Sequence, residues 1–332
     1  MGGKALNKYG VHTDRKNTEE FLRIGKEIQN SVESRYPVST AIVTCYHTKA
    51  DHGDLDLLLK MDDGIHINWR EYIQEAFNPQ AIHNNGGVYS FDYQNFQVDF
   101  IPVKEHKWET AKVYYSYDPL GNIMGKTFHK FGLSYGWDGL FYKFRNFNGR
   151  NSQNILLSND ARAIFKFGGY DYDRYLQGFE TLEDILRFAI DSKYFDTQIF
   201  QMDNLKSIDK KRNRKRGSYH IFLKYLEDNN IDIRYLFHKD KDIYLPLINI
   251  QFPEAKLLEK LKELQRIDSE SLILSQKFNG DIVMSWLPNL KGKELGAAMT
   301  KFKDALGEEY GEFILNSEYN EIHNYFMKIY ND

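Results

Sequence analysis

Asp54 and Asp56 flank Leu55 just ahead of an apolar run, Leu57-Leu58-Leu59. On a strand, residues i and i+2 point the same way, about 6.5–7 Å apart. Two carboxylates held side by side repel each other unless a cation sits between them. Mg²⁺ takes oxygen ligands and keeps several waters, so a few carboxylates plus substrate phosphates make its usual site. A third acid, Asp99, lies where Phe96, Val98 and Phe100 alternate with Gln97 and Asp99. That alternation turns Asp99 off the apolar face. If the two strands are neighbours, the three acids converge and can hold two Mg²⁺ ions. One ion would activate an attacking hydroxyl, and the other would bind a nucleotide's phosphates. Asp-x-Asp alone also describes the polar edge of a sheet. Three features favour a site: Gly53, which lets backbone approach a ligand closely, the buried run that follows, and the matching strand around Asp99.

The elements that must position these acids are legible around them. Asn17 can cap a helix with Glu20 as its capping-box partner, and Phe21, Ile24, Ile28 and Val32 follow at helical spacing up to Tyr36-Pro37. Residues 38–44 read as a β-branched strand, 45–53 as a polar loop and 54–59 as a strand entering a core. A helix over 68–77 and a hairpin of 88–91 with 96–101 complete a mixed unit of about 105 residues. Residues 106–180 are rich in glycine and aromatic rings and read as irregular and partly β. From Thr181 the pattern turns helical, with apolar stripes at 219–226, 257–264 and 295–306, the last ended by Gly307. The fold class expected is α+β, a mixed-sheet domain followed by an aromatic-rich middle and a mostly helical C-terminal part. The domains expected are 1–110 (catalytic), 111–235 (substrate or nucleotide binding) and 236–332 (helical).

The segments GDLDLLL (53–59) and QVDFIPV (97–103) resemble the catalytic core of the DNA polymerase beta-like nucleotidyltransferase superfamily, including its palm architecture. The resemblance covers residues 17–105. It implies that Asp54 and Asp56 bind both Mg²⁺ ions and that Asp99 binds the one activating the acceptor hydroxyl, with a nucleoside triphosphate (NTP) as substrate. The family normally carries a Gly-Ser or Gly-Gly pair before the Asp-x-Asp strand to cradle the triphosphate. Here the loop Thr44 to His52 has no such pair. Thr48 and Lys49 offer a hydroxyl and an ammonium for phosphate instead, and Gly2, Gly3 and Lys4 at the N-terminus offer a second substitute. Within the superfamily, residues 278–307 are similar to the tail of CCA-adding enzymes. There a Gly-Asp pair, here Gly280-Asp281, precedes a glycine-bearing helix start, here Gly292 to Gly296. Glu183-Asp184-Ile-Leu-Arg187 is similar to the pattern with which bacterial-type CCA enzymes read the incoming base, which implies base contacts by Asp184 and Arg187. A Glu-Asp pair at a helix start is also what the helix dipole favours.

Other signals are weaker. Gly121 to Thr127 looks like a P-loop one residue short, with Leu120 where the first glycine belongs. His47 and His52 read as polar loop residues, and Cys45 has no partner that would make it a nucleophile. Lys210, Lys211, Arg212, Arg214, Lys215 and Arg216 place six cations in seven residues, either a solvated face or a grip on an RNA backbone.

Composition bounds the reading. The chain has 332 residues, 44 Lys and Arg against 47 Asp and Glu, and a net charge of −3. It is no basic nucleic-acid coat, which makes the run at 210–216 a local exception. One cysteine excludes an internal disulfide and a Cys-rich zinc site. No stretch approaches the roughly 20 apolar residues of a membrane span, and the N-terminus lacks the core of a signal peptide. These features point to an intracellular, cytoplasmic protein in a reducing compartment. Aromatic residues reach 15%, which mutational bias in an AT-rich genome explains for the most part and base stacking for the remainder. The expected function is Mg²⁺-dependent transfer of a nucleoside monophosphate from an NTP to a hydroxyl, releasing pyrophosphate, with an RNA 3′ end, preferably tRNA, as acceptor. The alternatives are transfer to a protein, a small molecule or a second nucleotide, and a non-catalytic RNA-binding module on the same scaffold.

Overall fold

Asn17 caps the first helix as its position predicts, its side chain accepting from the Glu20 amide at 2.9 Å. Glu20 supplies that amide rather than a capping-box carboxylate, which lies 3.8 Å from Lys16. In order, β1 (Lys16–Asn17), α1 (Thr18–Arg35), β2 (Thr40–Ile42), β3 (Asp51–His52), β4 (Asp54–Met61), α2 (Trp69–Phe77), β5 (Ile82–Asn85), β6 (Val88–Tyr93) and β7 (Phe96–Lys104) build the first part of the chain. The computed structural model describes residues 3–332, apart from the side chains of Asn151 and Ser152. Gly2, expected at the phosphates, lies outside the described residues.

Five strands form one mixed sheet in the order β2-β4-β7-β6-β5. β4 and β7 run parallel, and the other neighbours are antiparallel. One face carries Leu55, Leu57, Leu59, Val98 and Phe100 and packs on Ile24, Ile28 and Val32 of α1 and Trp69, Tyr72 and Ile73 of α2. The opposite face is apolar at one end, where Leu58, Ile101 and Val103 meet Ala111 and Trp108. The other end of that same face carries the acids. The strand expected over 38–44 is only three residues long, and β5 was not signalled by its polar sequence, Ile-His-Asn-Asn.

The chain continues through α3 (Trp108–Tyr115), α4 (Leu120–Lys130), β8 (Leu133–Gly136), β9 (Gly139–Arg145), β10 (Asn151–Ser158), α5 (Ala161–Gly168), α6 (Tyr172–Leu176), α7 (Leu182–Ile190), α8 (Ser207–Asn213), α9 (Gly217–Asp228) and α10 (Leu245–Gln251). The middle region is therefore regular rather than irregular. Its glycines misled because some serve close packing inside helices: a Cβ on Gly121 would stand 2.5 Å from the Tyr114 carbonyl oxygen. Gly121 to Thr127 lies wholly within α4, so its amides are helical and form no phosphate loop. The rings pack on one another, as Phe131 does on Phe167 and Tyr194 at centroid distances of 5.1 and 4.9 Å. Much of the aromatic excess is core.

Two compact units result. The first holds residues up to 143 with 155–255, and the second holds 144–154 with 256–332. The second contains α11 (Leu257–Lys277), α12 (Gly280–Trp286), α13 (Gly292–Leu306), α14 (Tyr310–Asn316) and α15 (Tyr319–Asn331) around Phe278, Val283, Phe302, Ile314, Ile322 and Phe326. Gly280 and Asp281 open α12 behind the Asn279 cap, and Gly292 to Gly296 open α13. The fold is α+β with a mixed sheet, an aromatic-rich middle and a helical C-terminal part. Among the described residues no helix is long and apolar enough to cross a membrane.

Candidate active site

The parallel register of β4 and β7 sets Asp56 directly opposite Asp99, and Asp54 opposite Gln97. Residues paired across a ladder share a face, so all four side chains project from the same side of the sheet. The opposite side is saturated by the core on α1 and α2, which excludes a one-residue slip, since that would turn Leu57 or Phe100 outward. All three acids are half-buried, and none is in an ion pair among the described residues.

Their electrostatics follow from that crowding. Burial, then the charges of Asp54 and Asp99, hold the Asp56 carboxyl well above the ordinary carboxylate range. Asp99 is pushed up to about 7, first by burial and then by Asp54, against hydrogen bonds from Ser90 and Gln97 that pull it down. Asp54 is raised by burial, partly offset by the Gly3 amide and the charge of Lys49. Burial and like charge acting together are a common signature of acids built to receive a cation. Among the described residues no three or more His, Cys, Asp or Glu side chains stand close enough together to hold a metal ion as they are.

A short network braces the acids. Gln97, fully buried, donates from Nε2 to Asp99 at 3.0 Å and accepts from the Ala5 amide at 2.9 Å. The Gly3 amide donates to Asp54 Oδ2 at 3.1 Å, and the Thr13 hydroxyl donates to the Gly3 carbonyl at 3.2 Å. The N-terminal segment thus lies over the carboxylates, with Lys4 exposed. Gly53 is buried beneath Gly3.

The other expected contacts divide. Lys49 is half-buried, and its charge reaches Asp54 and Asp56. The Thr48 hydroxyl is committed to the Glu180 carbonyl at 2.7 Å, and His47 stands 3.0 Å from the Glu180 carboxylate. His52 is no loop residue: its ring is buried, stacked on Phe21 at 3.8 Å, and its pKa is driven down to about 4, chiefly by burial. Asp184 closes a capping box with Thr181 at the start of α7, and Arg187 pairs with Glu183 at 3.0 Å. The basic run splits across α8 and its end. Lys211, Arg212, Arg214 and Lys215 are exposed, and Lys210 is half-buried. Arg212 faces a cavity beside α4, whereas half-buried Arg216 lies near Asp118 and Tyr114.

Gln97, Ser90, Tyr115 and Asp118 were not singled out by sequence. Tyr115 and Asp118 both feel Asp56. Gln97 was findable, since it lies two residues before Asp99 on the same face. Ser90 and Asp118 reach the acids only through the sheet pairing and the turn before α4, and no local pattern marks them.

No family model matches the chain, and neither does any curated protein. Among solved structures, a crystal structure of Leishmania infantum polymerase beta in a ternary P/T complex is similar at 15% identity and a TM-score of 0.35. That match covers 44% of this chain and 64% of that chain, so it spans less than two thirds of the polymerase.

Proposed function

We propose that the chain is a Mg²⁺-dependent nucleotidyltransferase that moves a nucleoside monophosphate from an NTP to a hydroxyl with release of pyrophosphate. The observation that carries this reading is the Asp56–Asp99 pairing across parallel strands, with Asp54 on the same face and no cationic side chain paired to any of them. The donor set is all carboxylate oxygen, the kind Mg²⁺ takes, with Asp56 and Asp99 raised in pKa by burial and then by neighbouring carboxylates and Asp54 by burial. Asp54 and Asp56 would hold two ions and Asp99 one of them. When bound, the ions would lower the pKa of the acceptor hydroxyl and offset the charge of the leaving pyrophosphate. The chain's own contribution is orientation. Gln97 fixes the rotamer of Asp99, the Gly3 amide fixes Asp54, and Lys49 adds a positive charge beside both phosphates and acids. Leu58, Ile101 and Trp108 close the far end of the face and limit water there.

The favoured acceptor is an RNA 3′ end, with Lys211, Arg214 and Lys215 as exposed backbone contacts. The test is incubation of the full chain with each labelled NTP and total RNA or total protein, then asking which polymer becomes labelled. Label in RNA that depends on divalent cation and is lost in folded Asp54→Ala and Asp56→Ala variants supports the reading. Near-normal transfer by a folded double variant would sink it. Label only in protein or in a small product would move the acceptor but keep the chemistry.

A further inference from the structure

Beside α4 the first unit holds a cavity of about 300 Å³ that contains none of the three acids. Six of its nineteen lining residues are Lys or Arg, against a single acid, Asp209. Lys126, Lys206 and Arg212 belong to this wall, and none is in an ion pair among the described residues. Lys126 instead lies over the Tyr219 ring at 5.1 Å. Burial and the charges of Arg216 and Arg212 lower its pKa, against Asp209. Lys126 is half-buried, and Lys206 and Arg212 are exposed at the cavity's rim; like charges gathered around a concave space are stabilised by an anion.

A second, independent observation concerns neutral groups. Four buried side-chain polar atoms have no hydrogen-bond partner among the described residues, and three belong to residues of this wall, Asn122, Asn213 and Tyr135, although the atoms themselves are closed off from its open space. Asn213 is 1% exposed and Tyr135 7%. Leaving such a group unpaired is unfavourable. Three in one wall mark side chains that gain a partner when a ligand draws them toward the space.

We propose that this cavity binds a small phosphorylated ligand of about nucleotide size. Its phosphates would meet Lys126, Lys206 and Arg212, and its hydroxyl or amino hydrogens would draw the amide oxygens of Asn122 and Asn213 round to meet them. The volume stands at the lower end for small-molecule sites, room for one nucleotide and not for a strand. The cations that would follow a strand, Lys211, Arg214 and Lys215, lie outside it. The proposal stands apart from the transferase reading, because it needs neither the acids nor a divalent cation.

The test is isothermal titration of the full chain with inorganic triphosphate and with each NTP in EDTA, repeated in an Asp54→Asn, Asp56→Asn, Asp99→Asn background. Saturable binding that survives in that background, and weakens about tenfold or more in Lys126→Gln with Arg212→Gln, is the expected result, as for lost charge-assisted contacts. Asn213→Asp should also abolish it by placing a carboxylate in the cavity. Should that variant fail to fold, the Lys126 and Arg212 pair decides alone. No binding in EDTA, equal binding in the Lys126 and Arg212 variant, or loss of binding in the triple Asn background would each overturn the proposal. Binding of an RNA oligonucleotide with none of triphosphate or NTP would overturn it too. None of these outcomes bears on whether the acids transfer a nucleotide.

Discussion

The backbone amide of Gly3 donates to Oδ2 of Asp54 at 3.1 Å, from a position so close to Gly53 that a Cβ on Gly3 would collide with the Gly53 carbonyl oxygen. Gly3 also holds φ at +79°, which favours glycine. Gly3→Ala should therefore lift the N-terminal segment and release Asp54. The expected result is transfer reduced about tenfold with a small loss of stability, on the order of 1 kcal/mol. Gly10 has a similar φ of +76° but open space around it, so Gly10→Ala should cost stability alone. Steady-state transfer rates and melting temperatures of the two variants separate these effects.

The raised acids make the metal-free protein sensitive to pH in an unusual direction. Asp99 titrates at about 7 in the fold, against about 4 in an unfolded chain. Between those values the folded state keeps a proton that the unfolded state has released. Stability in EDTA should therefore fall as pH rises from about 4 to about 7, and the penalty is fully developed above 7. Asp99→Asn removes it and should stabilise the protein at pH 8 in EDTA by on the order of 2 kcal/mol, roughly 4–8 °C in Tm. Mg²⁺ should raise the Tm of the wild type more at pH 8 than at pH 6, since it competes with protons for the same oxygens. It should do little for the Asn variant. Melting curves at the two pH values with EDTA or Mg²⁺ give all four numbers.

Asp184 accepts from both the amide and the hydroxyl of Thr181 at 2.9 Å. Thr181→Ala and Asp184→Ala should each cost about 1 kcal/mol as lost caps, and the choice among NTPs should be unchanged. A shift in nucleotide preference with unaltered stability would instead assign Asp184 to base reading. Competition among the four NTPs in one reaction, with a melting curve, distinguishes the two.

For an RNA acceptor, Lys211→Gln, Arg214→Gln and Lys215→Gln together should flatten the dependence of RNA binding on salt. About three fewer counterions would be released, lowering the slope of log K against log salt by about 2 for a single strand. Filter binding across a salt series measures that slope. An unchanged slope would leave these cations as a solvated face.

Much of the acid site was legible because strand alternation is local. Asp54 and Asp56 two apart, and Asp99 off the face of Val98 and Phe100, followed from a period of two. The helix starts at Asn17 and Thr181 were legible for the same reason, since a cap is decided within four residues. Residues 106–180 were not. Gly121 reads as a loop residue until Tyr114 is seen against it, and rings such as Phe131 read as stacking platforms until they are found packed on one another.

The sequence by itself determined which face each acid occupies, since burying Leu57 and Phe100 forces their neighbours outward. Only the tertiary structure decided that β4 and β7 are parallel neighbours in the register that sets Asp56 against Asp99. Only it laid Gly3 on Asp54 and divided the basic run, sending Arg212 to the α4 cavity and Arg216 toward Asp118. Those are pairings between segments tens of residues apart. They are settled by which apolar surfaces fit together, a free energy that no local period records.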